Sequence, residues 1–111
     1  VYDAADVVLL PFLRPEPLSR GMVEALARGR ALAATAHGGP LDAVTDGENG
    51  VLFEPTAAGL IDALDRLSAA DLAAMGSESR RVYESRFHPD RVVRDHLEAY
   101  DWLMQNAVRY P

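Results

Sequence analysis

The sequence predicts an α/β domain: about three parallel strands with helices on both faces, followed by a helical C-terminus. Three observations carry that reading. The uninterrupted apolar run Val7-Val8-Leu9-Leu10 has the pattern of a parallel strand covered on both faces. After a proline-bearing loop comes an amphipathic stretch, then a second short apolar run between glycines, which is the order of a βαβ unit. Beyond Pro55 the apolar residues recur at spacings of three and four, so only helices are expected there. With 111 residues, 49% of them hydrophobic, the chain is long enough for one core. It is read as a single partial domain over 1–111, with an α/β part over 1–55 and a helical part over 56–111.

The chain begins without Met almost on top of its first strand, so a piece of a larger domain is expected, with a helix ending near Ala4-Ala5. In the loop Phe12 to Pro17, Pro15 and Pro17 forbid helix until about Leu18. Ser19 is the expected N-cap of a helix that runs to Arg28 and stops at Gly29. Met22, Val23, Ala25 and Leu26 form its apolar stripe, the face that packs on the sheet. Arg30 to Thr35 is too short between glycines for a good helix and is expected as a second buried strand. His37-Gly38-Gly39-Pro40 is a loop, and Leu41 to Thr45 a short helix. Asp46-Gly47-Glu48-Asn49-Gly50 is a strong turn signal before a third strand, Val51-Leu52-Phe53.

Thr56 can cap the next helix, whose apolar face is Leu60, Ile61, Leu64 and Leu67. Ala70 to about Glu84 repeats the pattern with Leu72, Met75 and Val82-Tyr83. The last helix is expected to start near Pro89-Asp90 and to carry Val93, Leu97, Tyr100 and Met104 at helical spacing. Tyr100, Trp102 and Met104 are read there as a packing stripe and not as a cofactor box.

Composition narrows the function. Seventeen acidic residues against eleven basic ones give a net charge of −6, which argues against a nucleic-acid or anionic-membrane surface. Any bound anion has to be held locally. The absence of cysteine excludes disulfides, thiolate nucleophiles and Cys-ligated metals. No apolar stretch approaches the ~20 residues of a membrane span, and a cytoplasmic protein is expected. His88 and His96 belong with the terminal helix, and His37 alone lies at the expected site edge. No His/Asp/Glu spacing suits a metal, Asp46 to Gly50 lacks the length of a calcium loop, and Ser19 lacks the glycines of a nucleophile elbow.

The informative stretch is Glu16 to Leu26, which holds two glutamates with seven residues between them across a loop-to-helix junction. A helix N-terminus at the carboxyl edge of such a sheet is where α/β proteins bind anions, here through the amides of about Leu18, Ser19 and Arg20. Arg14 and Arg20 could add positive charge for a phosphate, or be ordinary solvated or ion-paired arginines. Gly38-Gly39 could let the backbone approach a ligand, or simply make a tight turn. Glu16 and Glu24 suit the hydroxyls of a diol, since a carboxylate accepts hydrogen bonds in pairs. The alternatives are solvated surface carboxylates, or a glycosidase acid/base pair about 5–5.5 or 6.5–9.5 Å apart, whose target bond a helix-embedded Glu24 would reach with difficulty.

Ala5-Asp6-Val7-Val8-Leu9-Leu10-Pro11, Glu16 to Ala25, Gly29, Ala34-Thr35, Gly38-Gly39-Pro40, Asp46-Gly47-Glu48-Asn49-Gly50, Met75-Gly76, Arg80 and Phe87 together resemble the donor-binding domain of retaining GT-B glycosyltransferases, the group 1 class. The resemblance covers nearly the whole chain. It implies a partial Rossmann-like sheet, a truncated C-terminal domain of that fold, and a parent enzyme that transfers sugar from a nucleotide diphosphate donor with retention and without a bound metal. By resemblance, Glu24 holds the ribose hydroxyls and Glu16 those of the transferred sugar, and both are carried as the catalytic pair. Leu18, Ser19, Arg20, Arg14, Gly38 and Gly39 are carried as donor-binding residues. The acceptor domain and the family's Arg/Lys pair on the diphosphate are expected to lie outside this chain, so the chain alone is expected to be inactive. In the parent a peripheral place on the inner membrane surface is also compatible with the family. A rival expectation is a non-catalytic nucleotide-sugar binder, or a structural module that completes a partner's sheet. The strand at 7–10 would be central in the intact fold, so a homodimer along residues 7–12 is expected where its neighbour is missing.

Overall fold

The computed structural model describes residues 1–107. Strands β1 (Val7–Leu10), β2 (Ala31–Thr35) and β3 (Gly50–Phe53) form one parallel sheet in the order β1-β2-β3. Val7 pairs with Ala31, and Ala33 with Val51. Helix α1 (Arg20–Ala27) makes the first crossover, and the short α2 (Pro40–Ala43) lies in the second. Helices α3 (Ala57–Ser68), α4 (Leu72–Val82) and α5 (Pro89–Asn106) follow, with a wider π-type turn, Tyr83–Phe87, between the last two.

The start of every long helix is chemically marked. Ser19 accepts from the Met22 amide, Thr56 from Gly59 and Asp71 from Ala74, each satisfying one amide of a first turn. His88, directly before Pro89, caps α5 through Nδ1, which accepts from the Asp90 amide. Gly29, at a φ of 63°, ends α1 in the left-handed conformation glycine adopts most readily.

Alternation along the strands splits the core in two. Val8, Leu10, Leu32, Ala34 and Leu52 face α1, joining Met22, Ala25 and Leu26. Val7, Ala31, Ala33, Val51 and Phe53 face α3 and the start of α4, joining Ala63, Leu67 and Met75. All five residues of β2 are buried, so the both-faces-covered pattern holds for the middle strand. It does not hold for β1. That strand pairs with β2 alone among the described residues, and Leu9 is 43% exposed because no helix covers its end of the sheet.

Two further expectations need correcting. On α3 the inward line is half-buried Leu60 with buried Ala63 and Leu67, while Ile61 and Leu64, which sit on the adjacent line of the helix, are exposed. The α5 stripe of Val93, Leu97, Tyr100 and Met104 has helical spacing but packs on nothing among the described residues. Every residue from 91 to 107 is exposed, and the helix extends the molecule to 59 × 26 × 23 Å. The packing-stripe reading of Tyr100, Trp102 and Met104 therefore fails within the described chain.

Helix α4 seals the amino edge of the sheet. Gly76 lies so close to the Gly29 carbonyl that no larger residue fits, and Ser79, fully buried, donates to the Asn49 carbonyl at 3.3 Å. The turn at 46–50 is knotted from within. Buried Asn49 accepts from the Thr45 amide at 2.8 Å and donates to the Ala43 carbonyl at 2.9 Å, while its own carbonyl also takes the Leu32 amide. Replacing Asn49 by Ala strands both groups, and we expect a loss of about 2–4 kcal/mol in urea unfolding.

Asp46 opens the same turn. It accepts from the Leu52 amide at 2.8 Å and pairs with Arg66 at 2.9 Å. Burial raises its pKa, but the Arg66 guanidinium and the Leu52 amide outweigh burial and leave it below the usual carboxylate value. The stabilisation is therefore fully present above the unfolded carboxylate pKa of about 3.9 and is lost as pH falls through the lower folded value. Both partners are more than a third exposed, so the ion pair is worth at most about 1 kcal/mol. Asp46→Asn should be measurably less stable than wild type in urea melts at pH 7, and the gap should shrink towards pH 3.

Candidate functional site

With the amino edge sealed, the loops at the carboxyl edge form the candidate site. The Pro15–Ser19 loop is held by the next loop along the sheet. The Gly39 amide donates to the Glu16 carbonyl at 2.5 Å. A Cβ on Gly38 would fall 2.5 Å from the Glu16 carbonyl oxygen, and one on Gly39 would fall 2.5 Å from the Leu18 nitrogen. Gly38 also has a φ of 68°. The Nε2–H of His37 donates to the Phe12 carbonyl at 2.9 Å, which adds a second tie between the same two loops. The two glycines thus allow a close backbone approach, to the glutamate loop.

The loop so held delivers the N-terminus of α1. The Ser19 side chain takes the Met22 amide, and its carbonyl takes Val23. The amides of Leu18, Ser19, Arg20 and Gly21 donate to no group among the described residues, which leaves a run of donors at the positive end of a helix. Beside them is a shallow cavity of about 240 Å³ lined by Leu18, Ser19, Arg20, Val23 and Glu24. Four of the residues singled out in the sequence therefore meet around one space, with Val23 as its apolar wall.

Glu16 does not line that cavity. It stands on the loop against Gly38-Gly39 and is exposed, whereas Glu24 lies one turn into α1. Arg14 and Arg20 are exposed and form no salt bridge among the described residues, so the ion-paired reading of them is not what the fold shows. Among the described residues no three His, Cys, Asp or Glu side chains gather into a group that could hold a metal.

One neighbour of the site carried no signal in the sequence. Tyr2, in the 3-10 turn Tyr2–Ala4 ahead of β1, packs on the α1 side of the core and reaches Gly21 with its hydroxyl. No spacing rule links a residue before the first strand to one on the first helix, so only the packing reveals it.

Residues 1–70 match the family model described as glycosyl transferases group 1. The chain belongs to the group 1 glycosyltransferases. Solved structures agree on the fold. A sucrose-phosphate synthase of Thermosynechococcus elongatus is 28% identical with a TM-score of 0.84, over 96% of this chain and 27% of that one. The HepE protein of Anabaena, solved in complex with UDP-glucose, is 26% identical with a TM-score of 0.80, over 92% of this chain and 29% of that one. The C-terminal domain of a group 1 glycosyltransferase, LpcC of Francisella tularensis, is 27% identical with a TM-score of 0.65, over 78% of this chain and 45% of that domain. This group 1 chain thus spans well under two thirds of each of them, and shares the α/β, Rossmann-like architecture of the C-terminal domain. No curated protein matches it. No helix among the described residues is long and apolar enough to cross a membrane.

The support of one loop by the other is open to test. Gly39→Ala should either unfold the edge or push Pro17-Leu18 away, lowering Tm by several degrees. An exposed control, Gly47→Ala, meets no atom within 4 Å and bears only the strain of its φ of 82°. A Gly39→Ala protein as stable as wild type would remove the glycines from this role.

Proposed function

We propose that this chain is the donor-binding part of a retaining glycosyltransferase that moves a sugar from a nucleotide diphosphate sugar to an acceptor held by another domain. The observation that carries it is the convergence of Leu18, Ser19, Arg20 and Glu24 on one cavity at a helix N-terminus, in a chain of this family. The likeness to a HepE structure containing UDP-glucose supports the same ligand class.

The chemistry follows from the donor. Its diphosphate takes the amides of Leu18 to Arg20 and the dipole end of α1, with Arg14 and Arg20 as flexible cations nearby. Glu24 accepts from the ribose diol. Glu16, carried on the loop that Gly38-Gly39 support, accepts from the hydroxyls of the transferred sugar. The two glutamates thus act as acceptors at separate ends of one ligand and not as a proton-transfer pair across one bond. On this reading Gly38 and Gly39 serve the donor through the loop, and no metal is needed for the contacts assigned. The full reaction requires an acceptor site and further cations on the diphosphate, so this chain alone would bind donor without turning it over.

A second reading draws on β1. Its outer edge has no strand partner among the described residues, and Leu9 beside it is exposed. Such an edge favours pairing along residues 7–12 with another strand, in a homodimer or as a structural module in a larger sheet.

Isothermal titration with UDP, GDP, ADP and their sugars separates the two. Donor function predicts millimolar or tighter binding of at least one of them, lost in Glu24→Ala while the fold, followed by circular dichroism, is kept. Binding of none, with a dimer by sedimentation, would leave the structural reading.

A further inference from the structure

A carboxylate that is to recognise a ribose diol has to keep one orientation, yet Glu24 is an exposed side chain on a flexible stem. Arg28, four residues further along α1, is well placed to capture it, since Glu and Arg at that spacing attract one another on a helix surface. That pairing is not made. Asp3 draws the Arg28 guanidinium away to 3.3 Å.

The residue before Asp3 turns the other way. Tyr2 packs on the core cluster that includes Met22, Ala25 and Leu26, and its hydroxyl lies 3.4 Å from where a Gly21 side chain would begin. Gly21 and Glu24 are three apart on one helix and share a face. The phenol consequently stands on the face of α1 that carries Glu24. Burial, then Glu24 as acceptor, then its negative charge push the pKa of the phenol above the ordinary value of about 10, so at neutral pH it is a donor. The approach is wider than a full-strength hydrogen bond, and the other acceptor positions of the carboxylate stay open.

We propose that Tyr2 is a positioning residue of the donor site, its hydroxyl steadying one oxygen of Glu24 so that the other faces the ribose hydroxyls of a nucleoside diphosphate. The turn Tyr2–Ala4 then does two things for one carboxylate: Tyr2 orients it, and Asp3 keeps Arg28 from neutralising it. The inference rests on the assignment of Glu24 to the ribose.

The test compares UDP with 2′,3′-dideoxy-UDP, which lacks both ribose hydroxyls, on wild type, Tyr2→Phe, Glu24→Gln and the double variant by titration calorimetry. The expected result is a threefold to tenfold weaker UDP affinity in Tyr2→Phe, the same affinity for the dideoxy ligand, and no further loss when Tyr2→Phe is added to Glu24→Gln. Equal losses for both ligands, or no loss, overturn the inference while the ribose assignment stands. Failure of wild type to distinguish the two ligands instead overturns the ribose assignment. In that case the tyrosine ring signals, followed by NMR against pH and assigned with Tyr2→Phe, still decide the contact. A Tyr2 titration that falls towards 10 in Glu24→Gln shows the pair, and one that does not move removes it.

Discussion

The contact of Gly38 and Gly39 with the backbone of Glu16 to Leu18 is the constraint from which the site takes its shape. Two loops that leave neighbouring strands are pressed together at a distance no side chain would permit, and a hydrogen bond from Gly39 locks them. Because Pro15 and Pro17 stiffen the held segment, fixing it at Glu16 also fixes where Ser19 can begin the helix. Glycine here sets the position of one piece of backbone against another. The carboxylates and amides follow from where that backbone lies.

The opposite edge of the sheet uses the same device for another purpose. Gly76 against Gly29 and Gly50 against Leu32 bring backbones together where α4 crosses beneath the strands, and Asn49 satisfies the polar groups that the crossing buries. One edge is closed by packing and internal hydrogen bonds. The other keeps amides and arginines that have no partner among the described residues. This division of a parallel sheet into a closed edge and an open edge arises because every strand points the same way, so all the loops after the strands gather on one side.

Much of this could be read from residues in order. Caps at Ser19 and Thr56, the stop at Gly29 and the turn around Gly47 are local chemistry, and local chemistry is written in adjacent residues. The gathering of Leu18, Ser19, Arg20 and Glu24 needed only the strand, loop and helix to be placed correctly. What lay beyond reach was whatever depends on a neighbour distant in sequence. Tyr2 meets Gly21, Gly38 meets Glu16, and Ser79 meets Asn49 through folding alone. The apolar periodicity of α5 misled for a related reason: spacing shows that a helix has an apolar face, but it does not supply the surface that covers it. The exposure of Leu9 follows from the strand order of the described residues, in which β1 has β2 alone as a partner. Only β2, with its small alanines between two helical layers, occupies the middle.

Helix α1 is clamped at both ends. Its start is set by the Ser19 cap and by the loop seated on Gly39, and its finish by Gly29 against Gly76 and by Arg80 donating to the Ala27 carbonyl. A helix fixed in this way has already given up its freedom when the chain folds. On the proposed reading, an anion that arrives at its N-terminus meets donors that need not be ordered again, so its binding carries little entropic penalty.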